Sequence, residues 1–306
     1  MALPPLDWAR HFGRRAPLAV EVGFGNGEFL VWWSRRNPDW NLVGLEFSSQ
    51  CLARAARALS RAGSGNVHLV FGDARFLLRE LFSFSSLRLV MVQFPFPWPK
   101  ARHAKHRLFQ APFAATLADV LVPGGELVLV TDQEWYARDA GEVLRGNGSF
   151  EVGPLETGPE RPFRTRYEKK WLEEGRFIHR LEAVLKHPRP VARICLPGPV
   201  PAFPLSGRPA WPRLEGLAGI RWREPGRVVE VKQVVPDKAG WGIKLLAADG
   251  SFAQLFSLRL EAGAGGAAGE WSLQVAEPER LYHTPAVDLA LTALGRELDG
   301  AAAPQP

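Results

Sequence analysis

Three glycines at alternate positions, with an acid on either side, are the residues of this sequence best suited to close contact with a ligand. They are Gly23, Gly25 and Gly27, within the segment Glu21–Glu28 (EVGFGNGE). Glycine lets the backbone approach a ligand that a side chain would keep away. A dinucleotide site would instead carry G-x-G-x-x-G, which places a helix N-terminus against a pyrophosphate. The carboxylate of Glu21 would repel phosphate, so the segment favours a ligand with a cationic group, such as the amino-acid end of S-adenosylmethionine.

Two more acids follow at comparable places in the sequence. Glu46 stands near the end of the next apolar run, 25 residues after Glu21, and Asp73 follows the third run. An acid at the end of a second strand accepts ribose hydroxyls in nucleotide-binding folds, and a carboxylate after the third can accept from an adenine amino group. Each feature alone is more often a turn or a helix cap. The three in order predict a Rossmann-like, S-adenosylmethionine-dependent methyltransferase.

Apolar runs with the composition of buried strands would carry these residues to a common edge. They are Leu18–Val22, Leu42–Phe47, Val67–Phe71, Leu87–Phe94 and Glu126–Val130. Continuous apolar strands separated by helices are typical of a parallel sheet that is covered on both faces. The sequence therefore predicts a doubly wound α/β domain, with ligands at the carboxyl ends of its strands.

Helical periodicity is visible between these runs. One segment has apolar residues at i, i+3, i+4 and i+7, with serines before it and a glycine after it: Leu52, Ala55, Ala56, Leu59, Ser48 or Ser49 as N-cap, and Gly63 as the stop. A later segment has Phe113, Leu117, Val120 and Leu121 on one face, and we expect it to end at Pro123-Gly124-Gly125.

The composition changes after residue 187. Eight prolines fall within residues 188–212, where helices and central strands tolerate them poorly, so we interpret this segment as a linker. Residues 1–187 would form the methyltransferase domain and residues 213–306 a small, mainly β, α+β domain. Its predicted elements are Arg227–Val235, Trp241–Leu246, Phe252–Leu260, Trp271–Val275 and a helix with Thr284 as cap and Pro285 as first residue.

Two basic segments flank the predicted catalytic edge. The fourth apolar run leads into the proline-rich Phe94–Lys100 (FPFPWPK), and residues 101–107 hold three Lys or Arg, two His and no acid. Residues 161–180 hold seven Lys or Arg against three Glu and precede an apolar run, Phe177–Leu185, that we expect to be an antiparallel edge strand. A solvated basic face and a surface loop are the plain alternatives. The position beside the cofactor edge instead favours binding of RNA phosphates.

Taken together, these motifs resemble those of bacterial tRNA (guanine-N7-)-methyltransferases over roughly residues 17–185. The motifs are EVGFGNGE, Gly44-Leu45-Glu46, Gly72-Asp73-Ala74, FPFPWPKARHAKHRL, Pro123-Gly124-Gly125, Thr131-Asp132 and Thr165-Arg166-Tyr167-Glu168. The resemblance implies methylation of a guanine N7 in the variable loop of tRNA. It also implies that Glu21, Glu46, Asp73 and the glycines hold S-adenosylmethionine, and that the substrate contacts are Lys100, Asp132, Thr165, Arg166, Tyr167 and Glu168.

One position departs from the family pattern. The family has P-D-P-W, with the Asp at the cofactor and guanine, where this sequence has Phe96. We therefore expect Phe96 at the cofactor, or stacked on the base, and Asp132 as the remaining catalytic acid; the alternative role of Asp132 is an N-cap for a helix over 133–145. Guanine N7 carries a free lone pair, so its methylation needs no general base. The alternatives are a methyltransferase acting on another RNA position or a small molecule, and a tRNA-binding paralogue with impaired catalysis.

Charge and composition agree with a nucleic-acid partner. The 306 residues carry 38 Lys and Arg against 32 Asp and Glu, and residues 1–190 hold 26 against 20, which is the whole excess of +6. With two cysteines and no apolar stretch of about 18 residues, we expect a cytoplasmic protein without membrane segments. His103 and His106 lack neighbouring ligands, so no metal is predicted. A monomer and a homodimer remain equally open.

Overall fold

The chain divides into two compact units. The computed structural model describes residues 4–209, 214–237, 240–262 and 271–299. One unit consists of residues 4–192, and the other begins at Arg193. The predicted site residues all belong to the first unit.

The first unit is built on a mixed sheet of eight strands. The strands are β1 (Leu18–Val22), β2 (Asn41–Glu46), β3 (Val67–Phe71), β4 (Leu87–Gln93), β5 (Leu121–Thr131), β6 (Phe150–Val152), β7 (Glu156–Thr157) and β8 (His179–Leu185). Their order is β3-β2-β1-β4-β5-β8-β6, with β7 also paired to β8. The pairs among β1 to β5 are parallel. Because every residue of β1 is buried, both faces of this sheet are covered.

Helices cover the sheet and connect its strands. They are α1 (Trp8–Phe12), α2 (Glu28–Arg36), α3 (Ser49–Ala62), α4 (Ala74–Leu81), α5 (Ala111–Val120), α6 (Glu134–Asn147) and α7 (Arg166–Glu173), with a 3₁₀ turn over Ala101–His106. The caps expected for α3 are confirmed: the Ser48 side chain accepts from the Cys51 N–H, and Gly63 ends the helix in a left-handed conformation. The predicted doubly wound α/β class is confirmed.

Two local expectations in this unit are wrong. Helix α5 ends at Val120, and Pro123-Gly124-Gly125 lies inside β5 rather than after a helix, with Gly124 at φ +74°. The register between β4 and β5 shifts in this region, where an irregular strand can hold a proline. Strand β8 is antiparallel to β5 as expected, but it is internal, because β6 and β7 pair with its other side.

The second unit contains an antiparallel sheet and one long helix. Its elements are β9 (Phe203–Leu205), β10 (Arg221–Glu224), β11 (Arg227–Asp237), β12 (Gly240–Asp249), β13 (Phe252–Ala262), β14 (Trp271–Val275) and α8 (Pro285–Asp299). The order is β10-β11-β12-β13-β14-β9. Its core consists of apolar side chains from the sheet and α8, among them Val231, Leu245, Leu260 and Leu294. The mainly β, α+β class expected for this region is confirmed.

The proline-rich segment contains a strand. Strand β9 includes Pro204 and, among the described strands, pairs only with β14, so its proline occupies a sheet edge. Within the described parts of the chain, no helix is long and apolar enough to cross a membrane. The other predicted elements of this unit are present, most of them longer than their apolar runs.

Candidate functional site

The glycine loop joins the carboxyl end of β1 to α2. All three glycines have positive φ, at +73° for Gly23, +55° for Gly25 and +80° for Gly27, a region that other residues adopt only with strain. A Cβ at Gly27 would also lie 2.7 Å from the Cβ of Ala55 in α3. Gly27 is therefore required both for the turn and for the close packing of α3 against the loop.

Glu21 is a buried carboxylate with one oxygen unsatisfied. It is 2% exposed, and its Oε1 accepts from Nε2 of Gln93 at 3.0 Å. Its Oε2 has no hydrogen-bond partner among the described residues. Burial raises the pKa of Glu21 to about 8, against the lowering influence of Gln93 and the nearby Arg161 guanidinium. A buried acceptor without a partner is costly, so this oxygen is suited to a cationic ligand.

The other two predicted cofactor acids hold the local backbone. Glu46 ends β2 and accepts from the backbone N–H groups of Gly25 at 3.0 Å, Phe47 at 2.8 Å and Ser48 at 2.9 Å. Asp73 is the N-cap of α4, where it accepts from the backbone N–H of Arg75, and it also forms an ion pair with the Arg75 guanidinium at 2.6 Å. Both carboxylates are thus fixed in orientation at the carboxyl edge of the sheet.

Two cavities meet at Gly23 on this edge. The first, of about 320 Å³, is lined by Glu21 and Gly25 together with Gln93, Thr165 and Trp171. The second, of about 340 Å³, is lined by Glu46, Asp73 and three aromatic side chains, Phe47, Phe96 and Trp98. Gly23 lines both cavities. An acid for an ammonium group in one cavity, and acids and aromatic rings for a nucleoside in the other, fit the two ends of S-adenosylmethionine.

A buried chain of polar contacts links Glu21 to the segment before α7. The amide of Gln93 donates to Glu21 and accepts from the Arg161 guanidinium, which also donates to Oε2 of Glu168 at 2.6 Å. Glu168 is 1% exposed, and burial raises its pKa while Arg161 opposes that shift. Sequence reasoning missed Gln93 and Arg161. A polar residue at the end of an apolar strand was the available signal for Gln93.

The proline-rich turn after β4 is held in an unusual conformation. Phe94 and Trp98 have positive φ, at 51° and 48°, which costs about 1–3 kcal/mol for each residue. The Trp98 ring lies edge-on to Phe96, with centroids 4.8 Å apart, and its carbonyl accepts from the Arg107 guanidinium. Such strain is common at ligand-binding segments. Phe96 itself is 66% exposed at the second cavity.

Most of the remaining predicted site residues lie at the start of α7 or beside the 3₁₀ turn. Thr165 is the N-cap of α7 and accepts from the Glu168 N–H, and the Arg166 N–H donates to Glu28. Lys100 is exposed at the start of the 3₁₀ turn, and the side chain of Tyr167 lies outside the described residues. Neither cofactor cavity includes Lys100, Arg166 or Glu168 in its lining.

Asp132 follows β5 directly. Its Oδ2 accepts from Arg176 at 2.9 Å and from the Gln133 side chain at 2.8 Å. Helix α6 begins at Glu134 with Gln133 at the N-cap position, so the alternative of an Asp132 cap is wrong. A role for Asp132 in substrate binding stays a prediction, and it requires the carboxylate to exchange or share its contact with Arg176.

Comparisons with known proteins agree with this geometry. A family model described as "Putative methyltransferase" matches residues 15–181. The tRNA (guanine-N(7)-)-methyltransferase of Thermotoga maritima is 36% identical over 302 residues, which are 98% of this chain and 95% of that protein. The protein with the same name from Thermus thermophilus is 43% identical over 169 residues, 55% of this chain and 54% of that protein. The one from Acidithiobacillus ferrooxidans is 35% identical over 179 residues, 57% of this chain and 78% of that protein.

The first of these alignments runs through both units, so the second unit is a region shared with a relative rather than an isolated addition. The family resemblance inferred from the motifs is confirmed, and the chain belongs to the tRNA (guanine-N(7)-)-methyltransferase family.

Proposed function

We propose that this chain transfers a methyl group from S-adenosylmethionine to N7 of a guanine in the variable loop of tRNA. The observation that carries the proposal is the buried Oε2 of Glu21, which has no hydrogen-bond partner in the described parts of the chain; Glu21 lines a cavity together with Thr165 of the second basic segment. The family membership supports the substrate, since the relatives bear that name. With a tRNA substrate, the protein would act in the cytoplasm.

The residues of the site would hold the cofactor at both ends. Glu21 binds the ammonium group, with its carboxylate oriented by Gln93, and Glu46 and Asp73 accept from the ribose hydroxyls and the adenine amino group. When bound, S-adenosylmethionine supplies a methyl group on a sulfonium, ready for displacement. Phe96 and Trp98, which line the second cavity, would contact the nucleoside.

Methylation of guanine N7 depends on the positioning of the guanine rather than on a general base. Its lone pair is available at neutral pH, so the protein has to align it and to stabilise the positive charge that moves onto the purine ring. Asp132 could accept from the N1 and N2 hydrogens of the guanine. Thr165 lines the first cavity and is placed to offer its hydroxyl. Lys100, Arg166 and Tyr167 would contact the RNA, and Glu168 would act through Arg161.

Transfer of labelled methyl groups to bulk tRNA, followed by nucleoside analysis, tests the proposal. N7-methylguanosine is the expected product. A different methylated nucleoside would establish another RNA specificity, and no product with retained tRNA binding would establish an impaired paralogue. A Glu21→Gln variant, which keeps the shape of the side chain, serves as the matched control for cofactor-dependent transfer.

A further inference from the structure

A third cavity lies next to the cofactor edge in the first unit. It measures about 540 Å³ and is formed by α2, α3 and the segment 163–169. Its rim carries five cationic side chains from these three elements: Arg35, Arg61, Arg164, Arg166 and Lys169. Among the described residues that line it, Glu28 is the one acid, and its Oε2 already accepts from the backbone N–H of Arg166. We call this the flanking cavity.

The floor of the flanking cavity is apolar. Val31 of α2, Ala58 of α3 and the ring of Phe163 line it. Phe163 is fixed in place because it stacks on Trp32, with ring centroids 5.2 Å apart and planes 25° apart. A bare anion site needs no such floor. An apolar floor beneath a basic rim fits a ligand with a flat ring and a phosphate, as in single-stranded RNA.

Three of the cations on the rim are available to a ligand. Arg61, Arg164 and Lys169 are exposed and form no ion pair with other described residues. The Arg35 guanidinium donates to the Ala62 carbonyl at 3.2 Å, which holds it at the rim. Like charges held close together on one concave surface favour a polyanion.

The flanking cavity and the first cofactor cavity adjoin at residues 164–166. Thr165 lines the cofactor cavity, whereas its neighbours Arg164 and Arg166 line the flanking cavity. Glu28 lines both. The RNA backbone could thus pass Thr165 from a target guanosine beside the cofactor, which fills the first cavity, to an adjacent nucleotide in the flanking cavity.

We propose that the flanking cavity binds the nucleotide next to the methylated guanine, with its base on the apolar floor and its phosphate on the basic rim. This rests on the proposed function and adds a specific subsite to it. Arg35 and Arg61, which belong to neither basic segment of the sequence analysis, become RNA-binding residues. The chemistry recognised is a single-stranded ribonucleotide rather than a duplex.

Charge reversal on the rim tests the phosphate part. We expect Arg61→Glu and Lys169→Glu each to weaken binding of unmodified tRNA on the order of tenfold and to lower the slope of log K against log salt concentration by about one. Arg88→Glu is the matched control, since Arg88 is exposed near the amino end of β4. Losses no larger than in this control would overturn the proposal.

Abasic tRNAs test the base part. The base on either side of the target guanosine is removed in turn, and affinity is measured with the wild-type protein and with Ala58→Asp, which places a charge on the floor. We expect one of the two abasic RNAs to bind about fivefold or more weakly to the wild type, and this difference to disappear in the variant. Equal affinity of both abasic RNAs and the intact RNA would contradict the subsite.

The two proposals can fail separately. Absence of N7-methylguanosine with wild-type protein would refute the proposed function, whatever the binding data show. Normal N7-methylguanosine formation, together with unchanged RNA affinity in the rim variants, would refute the flanking cavity alone.

Discussion

The two units of this protein differ most in the polar groups that they bury. Among the described residues, the buried polar and charged side chains of the first unit include Glu21, Gln93 and Glu168, whereas the second unit buries Thr284 alone. Glu230 of the second unit, by contrast, is only partly buried and pairs with Arg221 and Lys232. Burying a charged group costs free energy, so the buried acids of the first unit do not serve the stability of the fold and indicate another role.

Sheet type explains where those groups lie. The parallel strands of the first unit are covered on both faces, so ligand groups collect at their carboxyl edge. Along the antiparallel strands of the second unit, buried residues alternate with more exposed ones, as in the middle of β12. The second unit is also neutral, with 12 basic and 12 acidic residues from position 193 onward. Chemistry and net charge are therefore concentrated in one unit.

The largest expected effect comes from the buried acid. Glu21→Gln should lower kcat/KM for S-adenosylmethionine about a hundredfold or more, because a charged contact with the ammonium group is lost inside a low-dielectric site. Labelled methyl transfer to tRNA measures it. Glu230→Gln, which makes the same chemical change at a partly buried acid of the second unit, should change the rate less than twofold. Similar losses of activity in both variants would contradict the functional difference between the two units.

The same acid should make cofactor binding depend on pH. Because the pKa of Glu21 is about 8 in the unliganded protein, the charged form is a minority at neutral pH, and affinity should fall about tenfold between pH 7 and pH 6. Calorimetric titration measures this, and Glu21→Gln should flatten the profile.

The stability of the unliganded protein should follow the opposite trend. The folded chain keeps a proton on Glu21 that the unfolded chain releases near its ordinary pKa, so stability decreases as pH rises from about 5 to about 8. Denaturant unfolding of the unliganded protein between pH 5 and pH 8 measures this, and a free energy of unfolding that stays constant or rises with pH would contradict it.

Charge reversal outside the cavities should distinguish the units by RNA affinity. Lys100→Glu, next to the cofactor edge, should weaken tRNA binding about fivefold, since it removes a phosphate contact. Arg223→Glu removes an equally exposed cation of the second unit and should change affinity less than twofold. Filter binding at fixed salt measures both. A larger effect of Arg223→Glu would assign RNA contacts to the second unit.

The smallest effect is expected at the position that departs from the family pattern. Phe96→Asp should change the rate of methyl transfer by no more than about threefold, because N7 methylation needs no proton acceptor. The side chain is exposed, so folding should tolerate the change. A large gain in rate would instead show that the Asp of the family pattern stabilises the charged product.

Sequence reasoning was accurate where a periodic pattern was strong. The bounds of β1, β3 and β14 agree with their apolar runs, and the caps of α3 follow from serine and glycine chemistry. The three acids predicted to hold the cofactor lie at one edge of the sheet, because parallel register places successive strand ends together.

The errors arose where long-range pairing decides the structure. Strand β8 is internal because the three-residue β6 pairs with it, and so short a strand has little sequence signal. The contact of Gln93 with Arg161 joins residues 68 positions apart, which no local pattern reveals. A surface loop was the plain alternative for residues 161–180, yet Thr165 caps a helix over Arg166–Glu173.

The close approach of Gly27 to Ala55 has a consequence for how this sequence can diverge. Because the backbone turn and the packing of α3 both require a glycine there, a descendant that stopped binding cofactor would still be selected to retain Gly27. Glu21 is in the reverse situation: its burial opposes folding at neutral pH, so relaxed selection would remove it early. In this family, loss of Glu21 rather than loss of Gly27 should therefore identify the proteins that have lost methyltransferase activity.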